Sequence, residues 1–444
     1  MATQFAAIPR AIPPAKRASI YDWVSQGFVN GLFFRALLLT APIQSVLLTP
    51  VQGSTAAFLL VLLSPAILIG NDSRFLRLLA FYAAFVLFYT IYLAFSLSGY
   101  LIDVPDMSQL LVIKEIYISG YLKQTHVTQG VYLLAAVLFC YLCFEYYQEA
   151  FLKYAFFGVL LLACYGFYEF IYYAIFHSNG DILSNRNFGD LDTAAAGAGS
   201  GKYVTGSVVQ GSTLFGSNFM RLKSLTGEPS MYALTVTPFA VYAYARRWWA
   251  LFGILAFSLL LSTSTTAIIG LGVGISYTEV RHRQDFVLYI AAALLVAVLL
   301  YATLDPFQRA LDTLLFQKLD TVSGNERMSA FMNHVRIVTD GNILRFLFGL
   351  GFGSVRSTDM LSNLLANVGV VGTCLYFGVI LAPCVRLRKG ADSGAIVAAL
   401  LAIFFMEAIT VSEYSYLPPW FMVALGYARV RQQRVALPAP VPTS

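Results

Sequence analysis

Three residues that can bind or activate a substrate stand directly before a hydrophobic run: Arg221, Lys223 and Glu228, in RLKSLTGEPSMYAL. Arginine side chains bind phosphate and pyrophosphate through two parallel hydrogen bonds and keep their charge at physiological pH. Such fixed cations stabilise the negative charge that develops on a leaving phosphate. A carboxylate can take the proton of an attacking hydroxyl, which makes Glu228 a candidate general base. A glutamate followed by Pro229 is also a normal helix start, and this alternative stays open.

A second group of basic residues follows later in the chain. Arg327 and His334 lie in SGNERMSAFMNHVRIV, which has the pattern of an amphipathic helix. Arg221 and Arg327 are the candidates for holding a leaving phosphate, and His334 is a second candidate base. For any one arginine, the ordinary alternative is a solvated or ion-paired surface residue. The candidate substrate-binding residues are Lys223, Arg336 and Arg356.

These residues belong to a chain that is 58% hydrophobic and 12% charged, a composition that excludes an ordinary soluble domain of 444 residues. Apolar runs of about 20 residues recur, which is the length that crosses a bilayer as a helix. The runs are too long and continuous for barrel strands. The sequence therefore predicts an all-α, polytopic membrane protein. The net charge of +6 comes from short, scattered clusters, so it indicates topology and not nucleic-acid binding.

The positive-inside rule orients the protein, because lysine and arginine accumulate in short cytoplasmic loops. With every cluster on the cytoplasmic side, about twelve helices result and both termini are cytoplasmic. The clusters are Arg10/Lys16/Arg17, Arg74/Arg77, Lys153, Arg246/Arg247, Arg281/Arg283, Arg386/Arg388/Lys389 and Arg429/Arg431/Arg434. The predicted spans are 30–49, 54–70, 78–98, 129–147, 154–176, 229–245, 248–262, 264–279, 286–303, 361–383, 393–411 and 417–429. The predicted regions are a cytoplasmic tail at 1–29, a transmembrane domain at 30–430 and a cytoplasmic tail at 431–444.

The interval between Arg247 and Arg281 decides the parity of the downstream helices. It is long for one transmembrane helix and short for two. Parity favours two short helices joined by a polar turn at STSTT, Ser262 to Thr266, which reaches only partway through the bilayer. Small hydroxyl residues can satisfy the backbone groups that such a bend frees.

Three long loops are predicted on the outer side, at 99–129, 177–228 and 305–360, and long loops are often functional. The first has an amphipathic middle, MSQLLVIKEIYISGYL, that is predicted to lie along the membrane interface. The second is rich in glycine, alanine and serine from Asp192 to Gly216, which predicts flexibility. The third concentrates arginines on the side that the positive-inside rule disfavours: Arg309, Arg327, Arg336, Arg345 and Arg356. Arginines beside a bilayer and outside the cytosol indicate a lipid-linked phosphate.

Four segments, in this order, resemble the O-antigen polymerase and ligase superfamily, also called the Wzy-type polymerases: RLKSLTGEPSMYAL, LLLSTSTTAIIGLGVG, SGNER and FGLGFGSV…NLLANVGVVG. The similarity covers roughly Arg221 to Gly372. It implies a helical fold of the GT-C kind in the bacterial inner membrane. It also implies transfer of a glycan from undecaprenyl pyrophosphate to a sugar hydroxyl of another lipid-linked repeat at the periplasmic face, with no metal and no other cofactor. A regulator of chain length is a further expected partner.

One departure from the family pattern separates its two activities. Ligase-type members commonly have a histidine shortly before the late helix, where this sequence has STDMLSN, Ser357 to Asn363, without a histidine. This favours a polymerase of O-antigen or exopolysaccharide repeats over an O-antigen ligase. The resemblance assigns no general base, so Glu228 and His334 stay the candidates from the residues alone.

A transporter, such as a lipid-linked oligosaccharide flippase or another secondary carrier, is the alternative from a different class. Twelve helices suit a carrier, and Glu169 and Glu407 lie inside apolar spans, where ionisable residues are costly and often functional. Each could instead hydrogen-bond a neighbouring helix. No repeat relates the two halves of the chain, as it does in many carriers, and long loops rich in arginine have no transport rationale. The enzyme is therefore the preferred interpretation.

Two remaining motifs carry little weight. DLD, Asp190 to Asp192, resembles the metal-binding motif of nucleotide-sugar transferases, but a short match in a flexible loop is weak. GLGFG, Gly349 to Gly353, could offer backbone amides to a phosphate, but a turn before a helix is the simpler interpretation. The five cysteines fall within or at the ends of predicted helices, so neither a disulfide framework nor a metal site is expected.

Overall fold

The structure is a computed structural model. It describes residues 31–49, 53–68, 73–108, 110–113, 116–186, 211–214, 217–283, 295–296, 299–304 and 322–435. The described chain is mostly helical, with three short two-stranded sheets.

The helices are α1 (Gly31–Thr40), α2 (Ala56–Leu62), α3 (Ser64–Ile67), α4 (Ser73–Ile102), α5 (Gln124–Glu145), α6 (Ala150–Phe176), α7 (Pro229–Ala245), α8 (Trp249–Ser262), α9 (Thr265–His282), α10 (Val322–Thr339), α11 (Ile343–Phe348), α12 (Met360–Arg386), α13 (Ala391–Thr410) and α14 (Leu417–Val435). A 3-10 turn covers Ser224–Thr226. The strands are β1 (Leu111–Val112), β2 (Tyr117–Ser119), β3 (Leu122–Lys123), β4 (Gly211–Leu214), β5 (Ser217–Met220) and β6 (Val355–Arg356), and the antiparallel pairs are β1 with β6, β2 with β3, and β4 with β5.

Five helices in the described part of the chain are long and apolar enough to cross a membrane: α4, α5, α6, α12 and α13. The chain is therefore a helical membrane protein, as its composition predicts. Helices α1 and α8 are apolar but shorter. The expectation of twelve spans is not confirmed. The predicted span 286–303 lies mostly outside the described residues, although 295–296 and 299–303 are helical.

Two of the predicted spans, 30–49 and 54–70, are wrong as single helices. Helix α1 ends at Thr40, because Pro42 disfavours a helical conformation at the residue before it. In the second stretch, α2 has 7 residues and α3 has 4, with Pro65 in the first turn of α3. A proline inside a continuous helix would remove a hydrogen bond and clash with the preceding turn, so the helix restarts there.

The polar turn predicted at Ser262 to Thr266 is confirmed. Helix α8 ends at Ser262, Thr263 adopts a left-handed conformation with φ 45°, and α9 begins at Thr265. Helix α8 has 14 residues, and about 21 Å of helix is shorter than the hydrocarbon core of a bilayer. The depth of the turn within a membrane stays a prediction.

Arginines of three clusters, Arg74/Arg77, Arg246/Arg247 and Arg429/Arg431/Arg434, form ion pairs at one end of the helix bundle, which we call the basic end. Arg77 pairs with Glu145, and Arg431 reaches the same carboxylate at 3.3 Å. Arg429 pairs with Glu149 at 2.7 Å. Arg246 pairs with Asp392. These contacts join the start of α4, the end of α5, the start of α6, the end of α7, the start of α13 and the end of α14.

The opposite end, which we call the loop end, gathers the connections that were predicted to be functional. β1 from the first loop pairs with β6 from the third. Arg345 Nη2 lies 2.7 Å from Asp103 Oδ2. Tyr416 donates a hydrogen bond to the carbonyl of Thr226 at 2.9 Å. Helices α4 to α9 and α12 to α14 run alternately between the two ends, and α7, buried from Tyr232 to Ala243, packs against α8, α9 and α13 at the centre.

The first loop differs from its prediction. Its amphipathic middle contributes the three short strands β1, β2 and β3, and its position along the membrane interface stays a prediction. Strand β1 finds a hydrogen-bonding partner in β6, which is far away in sequence, so the sequence pattern alone could not reveal it. The glycine-rich stretch from Asp192 to Gly216 lies mostly outside the described residues, apart from β4.

The backbones of α11 and α12 approach each other closely at two glycines, and we call this close approach the backbone crossing. Gly349 has φ 70° and Gly369 has φ 60°, and Gly369 breaks the regular geometry of α12. A Cβ atom on Gly349 would lie 2.5 Å from the backbone of Asn367, and one on Gly369 would lie 2.5 Å from the backbone of Leu347. The segment GLGFG is therefore a tightly packed turn, in agreement with the simpler interpretation of this motif.

Candidate functional site

Arg221 contacts the turn between α8 and α9. Its Nε atom donates to the carbonyl of Ser262 at 3.2 Å and to Oγ1 of Thr263 at 3.0 Å. Nη2 lies 3.4 Å from the carbonyl of Thr263, and the main chain of Leu222 donates to the carbonyl of Leu261 at 3.0 Å. A cation at the C-terminal end of a helix satisfies carbonyls that have no partner inside the helix. Arg221 therefore fixes the turn in place.

Lys223 is completely buried between two carboxylates. Its Nζ atom lies 3.1 Å from Asp181 Oδ2 and 3.7 Å from Glu169 Oε1, and all three side chains have no solvent exposure. The hydroxyl of Tyr165 donates to Asp181 Oδ1 at 3.0 Å. A buried ion pair of this kind tolerates the loss of one partner poorly. Lys223, predicted to bind substrate, instead ties the end of the second loop to α6.

Glu228 begins α7, as the sequence predicted. It is the N-cap residue with extended backbone angles, its side chain makes no capping hydrogen bond, and Pro229 follows in the first turn. The hydroxyl of Ser230 donates to Glu228 Oε2 at 3.4 Å. The residue is half-buried.

Glu228 belongs to a cluster of charged residues around Tyr416. Tyr416 is buried, and burial raises the pKa of its hydroxyl; Glu413 and Glu228 raise this pKa further, and Arg186 lowers it. The three charged residues therefore lie within electrostatic range of one hydroxyl. Glu413 is held by Ser415, whose main-chain nitrogen and hydroxyl both donate to Glu413 Oε1, at 2.9 and 2.6 Å.

Arg356 joins the same cluster from the third loop. Burial raises the pKa of Tyr414 well above its usual value, Glu413 raises it further, and Arg356 opposes both effects. Tyr132 on α5 is within electrostatic range of Arg356, Arg186 and Glu413. We call Arg186, Glu228, Arg356 and Glu413 the loop-end cluster.

The loop that follows α1 positions Arg186. The main-chain nitrogens of Gln44 and Ser45 donate to the carbonyl of Leu225, at 2.8 and 3.0 Å. The main chain of Arg186 donates to the carbonyl of Ser45 at 3.0 Å, and its Nη1 atom lies 3.3 Å from the carbonyl of Gln44. The loop after α1 thus connects Arg186 to the segment that leads into Glu228.

His334 is buried on α10. Its Nδ1 lies 2.5 Å from the carbonyl of Ala330, so Nδ1 carries the proton of the neutral ring. Nε2 makes no hydrogen bond to any described residue, although the main chain of Arg356 and the carboxylate of Asp359 are near enough to raise the pKa. Burial outweighs both and lowers the pKa of His334. The neutral ring could accept a proton at Nε2, but its burial separates it from a substrate in this conformation.

The remaining predicted residues differ in their surroundings. Arg336 and Arg356 are both exposed, and of these two only Arg356 belongs to the loop-end cluster. Arg345 is buried and forms an ion pair with Asp103, which accounts for this one of the arginines in the third loop. The main chain of Arg327 belongs to α10, but its side chain lies outside the described part of the structure. The convergence of Arg221 and Arg327 on one pyrophosphate stays a prediction.

Sequence reasoning missed Arg186 and Glu413. Both had a signal in the sequence, because each lies in a short polar stretch beside apolar runs: SNRNF for Arg186 and VSEYSYLPP for Glu413. Neither stretch is in a position that the resemblance covers. The stretches are also remote from Glu228 and Arg356 along the chain, so only folding brings the four together.

The loop-end cluster supplies two fixed cations and two carboxylates within electrostatic range of two buried tyrosines. Two arginines can bind a phosphate or pyrophosphate, and a carboxylate can accept a proton from a hydroxyl. Among the described residues, no group of histidine, cysteine, aspartate or glutamate side chains has the arrangement of a metal site. All five cysteines are free thiols. Two open clefts lie elsewhere, one at the basic end and one between α6 and α8.

The two intramembrane glutamates both contact a neighbouring element. Glu407 on α13 accepts a hydrogen bond from the hydroxyl of Tyr376 on α12 at 2.9 Å. Glu169 on α6 faces Lys223. Helix-to-helix hydrogen bonding, one of the two interpretations offered for such residues, therefore describes Glu407.

No protein-family model matches this sequence, and no curated protein matches it.

Proposed function

We propose that this protein is a glycosyltransferase that polymerises lipid-linked oligosaccharide repeats of O-antigen or exopolysaccharide, with undecaprenyl pyrophosphate as the leaving group. The observation that supports the proposal best is the loop-end cluster. Arg186, Glu228, Arg356 and Glu413 come from four separate segments, and each lies within electrostatic range of Tyr416 or Tyr414. A site that holds an anion and deprotonates a hydroxyl needs these side-chain types.

In the proposed reaction, Arg186 and Arg356 bind the pyrophosphate of the donor lipid. The hydroxyl oxygen of the acceptor sugar forms a bond to the anomeric carbon of the donor glycan. The bond from that carbon to the phosphate oxygen breaks, and its electron pair leaves with undecaprenyl pyrophosphate. The proton of the acceptor hydroxyl passes to Glu228 or Glu413. The arginines stabilise the charge that grows on the leaving phosphate.

Arg221 and Lys223 then have a different role from the one the sequence suggested. Arg221 holds the turn between α8 and α9, and Lys223 holds the end of the second loop against α6. Both residues act on the segment that leads directly to Glu228, so they are positioning residues in this proposal. The periplasmic location of the loop end and the GT-C type of fold are parts of the same proposal.

A flippase for lipid-linked oligosaccharides is the second candidate, because Glu169, Lys223 and Asp181 form a buried charged group at the loop end of the bundle. In carriers, buried charges of this kind can couple transport to ions. The enzyme is favoured because this charged group already has a structural role. Lys223 ties α6 to the second loop, and that role needs no transported ion. The two functions also predict different results when the gene is deleted. Loss of a flippase leaves the lipid-linked repeat on the cytosolic leaflet, whereas loss of a polymerase leaves single repeats on the periplasmic leaflet.

The deciding experiment uses the full-length protein in proteoliposomes with a synthetic undecaprenyl-pyrophosphate-linked repeat added to the accessible leaflet. A ladder of longer lipid-linked glycans, with release of undecaprenyl pyrophosphate, is the expected result. Transfer of the repeat to the other leaflet without a longer product would establish the flippase. Transfer of the glycan only when a lipid A core acceptor is added would establish the ligase activity instead.

A further inference from the structure

A cleft of about 320 Å³ opens at the basic end, between α7, α8 and α9. Its lining includes three basic side chains and two aromatic ones: Arg247, His282, Arg283, Tyr244 and Trp249. One acidic residue, Glu279, also lines the cleft. The cleft is remote from the loop-end cluster, so its function is separate from the proposed reaction.

Arg247 occupies a backbone position that arginine rarely takes. The main chain of Arg247 donates to the carbonyl of Tyr244, and the main chain of Trp248 donates to the carbonyl of Ala243, both at 2.9 Å. This is the hydrogen-bond pattern of a Schellman motif at the end of α7. The position requires a left-handed residue and is usually glycine; Arg247 adopts φ 59° there. A strained arginine in place of glycine indicates that its side chain has a role in the cleft.

The basic residues of the cleft differ from their neighbours at the basic end. Arg246 pairs with Asp392, and Arg281 donates to the carbonyl of Gly390 at 3.2 Å. Within the described residues, Arg247, His282 and Arg283 have no such ion pair or hydrogen bond from their side chains.

The acidic residue of the cleft is already engaged by one of the aromatic residues. Tyr244 donates a hydrogen bond to Glu279 Oε1 at 2.6 Å. The cleft therefore offers more positive charge than its own acidic residue neutralises.

A separate apolar groove runs along α8. Gly253 and Phe257 line a groove between α6 and α8, together with Phe167 and Ile171. Trp249 precedes Gly253 by one helical turn, so Trp249, Gly253 and Phe257 lie on the same face of α8. Tryptophan is enriched at the level of lipid headgroups. A ligand with a charged head in the cleft and a hydrocarbon chain in the groove fits this arrangement.

We propose that the cleft binds the phosphodiester headgroup of an anionic membrane lipid, with an acyl chain lying along α8. Arg247 and Arg283 bind the phosphate, His282 adds a donor, and Trp249 packs at the boundary between headgroup and chain. The positive-inside rule predicts that this end faces the cytosol, where anionic lipids attract basic residues. The site does not depend on the proposed glycosyltransferase activity.

The test measures thermal unfolding of the delipidated full-length protein in detergent, with phosphatidylglycerol, phosphatidylethanolamine or inorganic phosphate added. We expect phosphatidylglycerol to raise the midpoint and the other two to have little effect. Arg247→Gly removes the charge but keeps a residue that favours the left-handed conformation, so this variant folds. We expect Arg247→Gly and Arg283→Gln each to weaken phosphatidylglycerol binding by at least tenfold, as measured from the concentration dependence of the midpoint.

Lys153→Gln is the matched control, because Lys153 is an exposed basic residue at the same end and outside the cleft. This variant should bind phosphatidylglycerol like the unmodified protein. An equal shift for Arg247→Gly and the unmodified protein would overturn the proposed site. An equal shift with inorganic phosphate would overturn the lipid as the ligand, and an equal shift with phosphatidylethanolamine would overturn the selectivity for an anionic headgroup.

Discussion

Lys223 Nζ lies 3.1 Å from Asp181 Oδ2, and both side chains are completely buried. Glu169 on α6 is the second carboxylate beside this lysine. Asp181 precedes the stretch 187–210 and Lys223 follows it, so the ion pair ties the two ends of the second loop to each other and to α6. The ion pair therefore holds the two segments that carry Arg186 and Glu228 in place at the loop end.

The first prediction follows from this ion pair. Lys223→Met leaves two carboxylates buried without their cation, and the expected loss is about 3–5 kcal/mol of stability. The midpoint of thermal unfolding in detergent should fall strongly. Lys153→Met, at an exposed lysine on the same α6, should leave the midpoint nearly unchanged. Equal midpoints for the two variants would mean that the buried pair does not hold the loop.

The second prediction concerns Arg221 as a positioning residue. Arg221→Gln removes the charged donor that reaches Ser262 and Thr263, and hydrogen bonds of this type contribute roughly 1.5–3 kcal/mol. We expect a lower unfolding midpoint and faster proteolysis at the turn between α8 and α9. Arg221→Lys should recover part of the stability, since one ammonium group can still reach one acceptor.

A direct catalytic role of Arg221 would lower activity without lowering stability. If Arg221→Gln abolished polymerisation while the unfolding midpoint stayed at its original value, Arg221 would act on the substrate and not on the turn.

The third prediction tests the loop-end cluster. Arg186→Lys and Arg356→Lys keep one positive charge but lose the planar, two-pronged donor, so polymerisation should fall by at least tenfold for each. Arg336→Lys is the control, because Arg336 is an exposed arginine in the same third loop. Glycan length in a complemented deletion strain and product formation in proteoliposomes measure the effect. Unchanged chain lengths for both cluster variants would remove the cluster from the site.

The two carboxylates of the cluster can be distinguished in the same assay. Glu228→Gln and Glu413→Gln each remove one proton acceptor while preserving the size of the side chain. The variant of the general base should lose nearly all activity, and the other should lose less. Full activity of both variants would contradict a carboxylate base in this cluster.

The fourth prediction uses the lowered pKa of His334. The unfolded chain takes up a proton near the ordinary value of 6.5, while the buried ring resists protonation. The stabilising contribution is therefore complete above pH 6.5 and is lost as the pH falls below it. His334→Gln should flatten the decline of the unfolding midpoint between pH 8 and pH 5. An unchanged pH profile would show that His334 does not titrate differently in the folded protein.

The fifth prediction compares two glycines of α12. Gly369→Ala places a Cβ atom 2.5 Å from the backbone of Leu347, at a position with φ 60°, so α11 and α12 must separate. We expect a large loss of folded protein. Gly378→Ala meets no atom within 4 Å, and replacing a glycine inside a helix stabilises by roughly 0.5–1 kcal/mol. A similar yield and midpoint for both variants would contradict the backbone crossing.

The sequence by itself determined the features that depend on neighbours along the chain. The polar turn at Ser262 to Thr266, the start of α7 at Pro229 and the amphipathic helix α10 follow from local patterns of polarity and from proline. The position of Arg77, Arg246, Arg429 and Arg431 at one end also follows, because the positive-inside rule places clusters of basic residues on one side of the membrane. Where a local breaker was overlooked, as at Pro42 and Pro65, the predicted spans were wrong.

Only the tertiary structure decided what the charged residues contact. The sequence could not separate Arg221, which holds the turn after α8, from Arg356, which lies beside Tyr414. Nor could it bring Arg186 and Glu413 within electrostatic range of Tyr416, since these residues lie far apart along the chain. Residue type states which chemistry a side chain can perform, but electrostatic and hydrogen-bonding energies depend on distance and burial. Both quantities are fixed by the packing of segments that are remote in sequence.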